Sequence, residues 1–189
     1  MPLLRMRDAT FTRGEYAAGP ITLALSPGDC ATMVVASANE AAVAARLACG
    51  IVKASTGTVL IGDYDPRVQS VHCKRIAAFV AHEPAMLQET DFPRYVRYRA
   101  ALWNVDERLA LRRAAKLREC VESMHAAFAF PLVGALIGRP QLVVLDRPQP
   151  AYAEQIVALL DGLTFVSTHV ADGEAAAFAR GHGSQRLRA

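Results

Sequence analysis

A short apolar strand that runs directly into an alanine-rich helix is the feature that most constrains this chain. The run C-A-T-M-V-V at 30–35 follows a Pro27-Gly28 turn, and the helix after it ends near Gly50. α/β proteins build phosphate sites in this way, because the free amides of a helix's first turn and the helix dipole both favour an anion. The stretch 26–57 therefore predicts an α/β fold with the framework of a phosphate site.

The residues that hold phosphate are missing from this framework. A phosphate loop reads G-x-x-x-x-G-K-[ST], and none of the lysines, Lys53, Lys74 and Lys116, is followed by Ser or Thr. Ser37 and Glu40 instead have the S-x-x-E spacing of a capping box, so the helix is expected to cap itself. The Glu40 carboxylate would also repel a phosphate. The stretch is interpreted as a self-capped structural helix, with ATP held without lysine or glycines as the alternative.

Composition indicates one compact domain. The chain has 189 residues, 52% hydrophobic and 21% charged, which suffices for a large core. Charges interrupt the apolar stretches, so no membrane span is expected, and Arg5, Arg7 and Asp8 argue against a signal peptide. We therefore expect a cytoplasmic protein. The net charge of +3 is too small to predict nucleic-acid binding. The cysteine spacing fits neither a zinc site nor a redox pair, so no metal is expected.

Periodicity along the chain predicts a mostly parallel sheet covered by helices on both faces, preceded by a small antiparallel meander. The meander strands are expected at 3–11 and 21–25, with 17–20 as a loop. Residues 92–138 have a helical pattern, which Pro131 is expected to bend or break. Further strands are expected at 58–62, 76–81, 142–145 and 164–167, a helix at 151–160, and a frayed tail at about 181–189.

Polar side chains follow several of these strands. Because parallel strands end at the same edge of a sheet, where ligands of such sheets bind, these residues are expected to converge there. They are Glu40, His82, Asp146, Arg147 and His169.

Several segments fall in the order and spacing of a known family. They are P-G-D at 27–29, R-L-A-C-G at 46–50, S-T-G-T-V-L-I-G-D at 55–63, F-V-A-H-E-P at 79–84, L-V-V-L-D-R-P at 142–148 and S-T-H at 167–169. Over most of the chain this order resembles the nucleotide-binding domain of ABC transporters. The resemblance implies a P-loop NTPase-like fold in one domain, 1–189. Its core would comprise 1–82 and 142–170, with a reduced helical subdomain at about 83–140.

The departures from the family pattern lie where the chemistry would be. The resemblance puts Val35, Ala38 and Glu40 at the phosphate-loop glycines, Ala41 at the lysine and Ala42 at the magnesium-binding hydroxyl. The resemblance therefore implies a vestigial nucleotide-binding set, which consists of Ser37, Glu40, Ala41, Ala42, His82, Ser123 and Asp146.

The other family motifs are kept in part. The resemblance puts His82 at the Q-loop glutamine, Asp146 at the magnesium-binding aspartate and His169 at the switch histidine. Arg147 replaces the catalytic glutamate, and E-S-M-H-A at 122–126 keeps only Ser123 of the signature.

Single residues leave alternatives open. Asp146 is a metal ligand, as in the family, or it pairs with Arg147 or caps the next turn. His169 is either a phosphate sensor or a hydrogen-bonded structural residue. Arg147 could bind an anion or a partner's carboxylate.

Phosphoryl transfer depends on positioning and charge stabilisation, so loss of the lysine, the hydroxyl and the glutamate predicts loss of hydrolysis. The sequence favours a pseudo-ATPase with an assembly or regulatory role in a membrane transport complex. No catalytic residues and no cofactor are expected, and ATP with magnesium could bind only weakly. The alternatives are a degenerate ATP-binding protein, on its own or in a composite site, and a soluble anion-binding regulatory module.

A basic helical face suggests where a partner would bind. In the family the region after the Q-loop contacts the permease, so this face could meet a permease or anionic headgroups at the inner face of the membrane. An intact ABC ATPase is the second candidate partner. The alternative is a solvated helix face. Its arginines are Arg94, Arg97, Arg99, Arg112 and Arg113.

Overall fold

The computed structural model describes residues 1–82, 91–170, 172–178 and, as backbone, 184–188. It has an α/β architecture with one antiparallel and one parallel sheet. The strands are β1 Leu4–Arg13, β2 Tyr16–Leu25, β3 Cys30–Val34, β4 Thr56–Ile61, β5 Ala77–Val80, β6 Leu142–Asp146, β7 Thr164–His169 and β8 Ser184–Arg188. The helices are α1 Ala38–Ala48, α2 Ser70–Ile76, α3 Phe92–Trp103, α4 Glu107–Cys120, α5 Ala126–Leu136, α6 Ala153–Leu159, which follows a 3-10 turn at Pro150–Tyr152, and α7 Asp172–Phe178.

The antiparallel sheet is the predicted meander with one more strand. Its order is β2-β1-β4, and β1 pairs with both neighbours. Residues 17–20, predicted to be a loop, lie inside β2, and Ala17 and Ala18 pair with the end of β1. The prediction was wrong there because the Ala-Ala-Gly-Pro composition suggests a turn, whereas cross-strand pairing with β1 decides the conformation.

The parallel sheet has the order β5-β6-β7-β3-β8. Its central strands β6, β7 and β3 are buried along almost their whole length, as expected for a sheet covered on both sides. Along β6, Leu142 and Val144 belong to one hydrophobic cluster, together with α1 and the antiparallel sheet, whereas Val143 and Leu145 belong to a second cluster with α3 to α6. This alternation follows from the two-residue period of a strand, and it confirms the predicted fold class.

Residues 92–138 are helical in three separate segments. Asp91 and Asp106 cap α3 and α4 by accepting the amides of Arg94 and Leu109 at 2.7 and 2.9 Å. Asn104 ends α3 in the left-handed conformation, at φ 52°. Breaks between these helices let the apolar faces of α3, α4 and α5 pack against each other and against the sheet.

Pro131 lies inside α5 and does not end it, so of the predicted bend or break the break does not occur. The cost of a proline in a helix interior, about 3 kcal/mol in isolation, reflects a lost hydrogen bond and a steric clash. Here Phe128, Leu132 and Val133 bury the same helix in the second cluster. Burial of apolar side chains at about 1.5–3 kcal/mol each is sufficient to offset that cost.

The expectation of a frayed tail was also wrong. Backbone of β8 pairs in parallel with β3 over five register positions, from Cys30 with Ser184 to Val34 with Arg188. Few apolar residues are needed at the edge of a sheet, where one side of the strand meets solvent. Residues 181–183 and Ala189 of the predicted tail lie outside the described residues.

Two short helices were missed in the sequence. Helix α2 occupies Ser70–Ile76, so that β5 begins at Ala77 and not at Ile76, and α7 follows β7. Each spans seven residues, which is too short for a clear helical period.

In the part of the chain that the structure describes, none of the helices combines the length and apolar character needed to cross a bilayer.

Candidate functional site

The loop between β3 and α1 is closed by its own side chains. Ser37 is the N-cap of α1, and its hydroxyl oxygen accepts a hydrogen bond from the Glu40 amide at 3.1 Å. The Glu40 carboxylate accepts the Ala36 amide at 2.9 Å. The predicted capping bond of Ser37 is confirmed, whereas Glu40 reaches the amide of Ala36 and not that of Ser37. Two backbone donors at this helix end, the amides of Ala36 and Glu40, are therefore bonded within the chain, with a negative charge beside them.

The two alanines that follow face different surroundings. Ala41, which sequence reasoning put at the lysine position, is completely buried, and Ala42 is partly exposed. The Ala41 amide donates to the Ser37 carbonyl at 2.9 Å, so the first turn is regular. Neither Ala41 nor Ala42 has a polar side-chain atom, so these two positions offer no side-chain donor to an anion.

At the end of β6, Asp146 and Arg147 form an ion pair. The Arg147 Nε donates to Asp146 Oδ1 at 3.0 Å, with the Asp146 side chain 3% exposed and that of Arg147 24% exposed. Arg147 lies in the left-handed region at φ 45°, and its amide donates to the Thr168 carbonyl at 3.1 Å. The buried carboxylate thus has its counterion on the next residue, and the pairing alternative for Asp146 is the one observed.

His82 joins the same strand end. Its Nδ1–H donates to the Arg147 carbonyl at 2.8 Å, so the segment that follows β5 is hydrogen-bonded to the residue that follows β6. Glu83 and Pro84 of the same sequence motif lie outside the described residues.

His169 closes β7 and is completely buried. Its Nε2 is hydrogen-bonded to Ser167 Oγ at 2.9 Å, and its ring packs on Phe178 with centroids 5.1 Å apart. Within the described residues, its Nδ1 is buried without a hydrogen-bond partner. Burial lowers the pKa of His169 to about 4, so the ring is neutral near neutral pH.

These residues meet at one edge of the sheet, as expected from the parallel strands. Asp146 is in register with Thr168, Val34 is in register with His169, and the Val35 amide donates to the His169 carbonyl at 3.0 Å. The loop that leads from β3 to Glu40 in the first turn of α1 begins at the same edge of the sheet. The structure therefore brings together the strand ends that the sequence singled out.

Ser123 lies before α5, in contact with α6. Its hydroxyl accepts a hydrogen bond from Gln155 Nε2 at 2.8 Å, and the His125 amide donates to the Tyr152 hydroxyl at 3.1 Å. Sequence reasoning missed Gln155 and Tyr152, since their partners are about thirty residues away and no local pattern marks them. The Ser123 hydroxyl is therefore hydrogen-bonded to another side chain of the same protein.

Among the described residues, no three His, Cys, Asp or Glu side chains lie close enough together to hold a metal ion. Burial raises the pKa of the Cys49 thiol to about 12, with Cys73 adding to the effect, so this sulfur stays protonated.

The basic helical face is partly used inside the protein. Arg99 Nε donates to the Gly134 carbonyl at 3.3 Å, Arg113 Nη1 donates to the Ile137 carbonyl at 2.7 Å, and Arg97 pairs with Glu107 at 2.9 Å. Arg94 and Arg112 are exposed. The first two bonds satisfy carbonyls at the C-terminal part of α5, where cations are favoured, so only part of this face is available to a partner.

Comparison with known proteins identifies the fold. No protein-family model matches the chain, and no curated protein matches it. Many solved structures do. The dimeric bacterial ABC transporter cassette MJ0796 has a TM-score of 0.73 and 15% identity, covering 98% of this chain and 94% of that one.

Two further structures agree. The ATP-binding subunit of an ABC transporter has a TM-score of 0.72 and 16% identity, covering 89% of this chain and 80% of that one. CbiO1 from Clostridium perfringens, part of the ABC transporter complex cbiONQ, has a TM-score of 0.69 and 13% identity, covering 90% and 79%. The chain thus has the fold of the ABC ATP-binding cassettes, which is P-loop NTPase-like.

Proposed function

We propose that this chain is a catalytically inactive, ABC-cassette-like subunit with an assembly or regulatory role in a membrane transport complex. The observation that carries the proposal is the hydrogen bond from the Ala36 amide to the Glu40 carboxylate, at 2.9 Å. This carboxylate occupies a backbone donor at the helix N-terminus, which is where a fold of this kind would bind phosphate.

Charge at this helix end opposes nucleotide binding. A carboxylate close to an incoming phosphate costs roughly 1 to 4 kcal/mol at intermediate dielectric. The position that would carry a lysine is the buried Ala41. An anion therefore meets a fixed negative charge there and no positive side chain.

The residues at the strand ends do not fit Mg²⁺ with ATP. Magnesium in such sites is shared between one or two carboxylates and the substrate phosphates. Asp146, the carboxylate at the end of β6, is bonded to the Arg147 guanidinium, and Ala42 has no hydroxyl. A cation next to Asp146 would compete directly with Arg147.

Hydrolysis would lack several contributions at once. Phosphoryl transfer is catalysed almost entirely by positioning and electrostatic stabilisation, and loss of one stabilising donor typically lowers the rate by 10²–10³. Arg147 cannot act as a general base, and the neutral, buried His169 has its Nε2 bonded to Ser167. Together these features support a structural role for the cassette.

A partner surface is expected on α3. Tyr98 and Leu102 are each 61% exposed, and they lie one helical turn apart beside the exposed Arg94. Exposed aromatic and aliphatic side chains next to arginine are typical of interfaces. We place a permease on this surface, at the cytoplasmic side of the membrane, with an intact ABC ATPase as a second partner.

Affinity purification of the tagged chain from native membranes tests the assembly role. The expected result is co-purification of a membrane protein with multiple spans, alone or with an ABC ATPase. The double variant Y98E/L102E should lose this partner, whereas V71E, at an equally exposed position on α2, should retain it. Recovery of the chain alone under mild detergent conditions would count against the proposal.

Two alternatives are separated by ligand binding. A degenerate ATP-binding protein would bind millimolar Mg-ATP, and an anion-binding module that uses Arg147 would bind phosphate and lose this binding in R147N. The bond between Arg147 and Asp146 disfavours the second.

A further inference from the structure

A small pocket lies at the edge of the parallel sheet opposite to the candidate site. It is formed by Arg113, Lys116, Leu117, Arg139, Leu159 and Leu163 together with neighbouring residues, and its volume is about 290 Å³. We call it the basic pocket. Leu163 directly precedes β7 and Arg139 lies shortly before β6, whereas the candidate site follows the ends of the same two strands. The two sites therefore lie at opposite ends of parallel strands.

The polar lining of the basic pocket is entirely cationic. Arg113, Lys116 and Arg139 contribute side chains, and the structure shows no ion pair of any of them with a described carboxylate. Lys116 and Arg139 are exposed, so both can move to meet a ligand. Three positive charges around one small cavity repel each other until an anion enters.

Arg113 is held at the wall of this pocket. Its Nη1 donates to the Ile137 carbonyl at 2.7 Å, which fixes the guanidinium. Its Nε is buried and has no hydrogen-bond partner among the described residues. Arg113 and Arg139 line the same pocket. Burial, and then the nearby charge of Arg139, lower the pKa of Arg113. The bond through Nη1 holds this cation at the pocket wall, where it would attract an anion.

The rest of the lining is apolar. Leu117 projects from α4, Leu159 from α6 and Leu163 from the segment before β7, and Leu136 and Pro140 complete the wall. Among the described residues that line it, none has an aromatic ring for a base to stack on, and none has a hydroxyl or amide side chain for a sugar. This composition favours a hydrocarbon chain over a nucleotide.

We propose that the basic pocket binds a carboxylate with a medium-length acyl chain. The carboxylate would contact Arg113, Lys116 and Arg139, and the acyl chain would pack on the leucines. The volume is at the lower limit of ligand pockets, which selects a medium-length chain over a long one. The site is independent of the proposed pseudo-ATPase role, since no residue near Glu40 or Asp146 contributes. It lies at the C-terminal end of α5, whose N-terminal end follows Ser123.

Isothermal titration of the full chain with octanoate tests the site. The expected result is saturable one-site binding, with no binding of octanamide, which lacks the charge, and none of inorganic phosphate, which lacks the chain. Binding of phosphate as tight as that of octanoate would overturn the proposal in favour of a simple anion site. Equal binding of octanamide would overturn it in favour of a nonspecific apolar patch.

Variants locate the binding. K116E/R139N should weaken octanoate binding about tenfold or more, because two charge-assisted contacts are lost. Asparagine is chosen at position 139 because Arg139 has φ 53°, a conformation that asparagine tolerates. R112E, on the exposed part of the same helix, should bind octanoate as the parent chain does. Unchanged binding in K116E/R139N, with an unchanged melting temperature, would refute the assignment.

A membrane source of the ligand is distinguished in the same way. Vesicles that contain phosphatidylserine should not compete with octanoate, because the two-chain lipid does not fit the pocket. Competition by these vesicles in the parent chain, together with direct vesicle binding that K116E/R139N weakens, would identify a lipid surface and contradict the proposal of a small carboxylate.

Discussion

The Ala36 amide and the Glu40 carboxylate are joined by a hydrogen bond of 2.9 Å across the start of α1. Glu40 is also held by its own amide, which donates to the Ser37 hydroxyl at 3.1 Å. The first turn of α1 is thus closed by side chains of the same loop. Helix α1 is therefore capped by Ser37 and Glu40 themselves, directly after the end of β3.

Removal of the cap should destabilise the protein. In S37A the Glu40 amide loses its acceptor, and an N-cap of this kind contributes about 1 kcal/mol. The melting temperature should fall by about 2–4 °C, measured by calorimetry. S26A is the control, because Ser26 is exposed and its hydroxyl makes no hydrogen bond within the described residues. Equal effects of the two variants would contradict the capping role.

Asp146 and Arg147, the ion pair at the end of β6, should show a strong energetic coupling to each other. Asp146 is buried, so R147N leaves a buried carboxylate without its counterion, and D146N relieves that cost. A double-mutant cycle from urea denaturation should give a coupling of about 1–3 kcal/mol. The exposed Arg97–Glu107 pair, cycled in the same way, should give about 0.2–1 kcal/mol. A coupling at Asp146 no larger than this would contradict the buried pair.

His169 should make stability depend on pH. Its folded-state pKa is about 4 against 6.5 in the unfolded chain, so between these values the unfolded state binds more protons. The contribution of His169 to the free energy of unfolding is therefore fully present above about pH 6.5, and it is lost as the pH falls toward 4. The His169 contribution should be about 2 kcal/mol smaller at pH 5 than at pH 7.

The measurement is the free energy of unfolding at both pH values for the parent chain, H169N and H72N. H169N should show the smaller pH dependence, whereas H72N, changed at an exposed histidine, should follow the parent chain. Parallel pH profiles for H169N and the parent chain would mean that His169 is not buried in its neutral form.

Partial restoration of the loop should not restore hydrolysis. E40G/A41K introduces a glycine and a lysine at the start of α1. Ala42 still lacks a hydroxyl, and the Asp146 carboxylate is still bonded to the Arg147 guanidinium. Phosphate release from Mg-ATP by this variant should stay at the background of the parent chain. Turnover above that background would show that the loop alone had silenced the protein.

Much of this arrangement follows from local pattern. The apolar runs before Asp146 and His169 identify buried parallel strands, and parallel strands bring their ends together. The capping bond of Ser37 follows from the spacing to Glu40. These features depend on residues a few positions apart, so the sequence is sufficient to predict them.

The remaining features depend on partners distant in the chain. Strand β8 forms because its backbone pairs with the edge of β3. Helix α5 continues through Pro131 because its side chains are buried among neighbouring helices. The bonds of Gln155 to Ser123 and of Arg113 to Ile137 also join separate elements. No periodicity marks such pairs, because tertiary packing overrides local propensity at these positions.

Titration calorimetry of the parent chain with millimolar Mg-ATP tests the central claim most directly. The closed loop at Glu40 and the pairing of Asp146 with Arg147 predict no heat of binding and no shift in melting temperature. A saturable isotherm with a matching rise in melting temperature, abolished by substitutions at this edge of the sheet, would contradict the account.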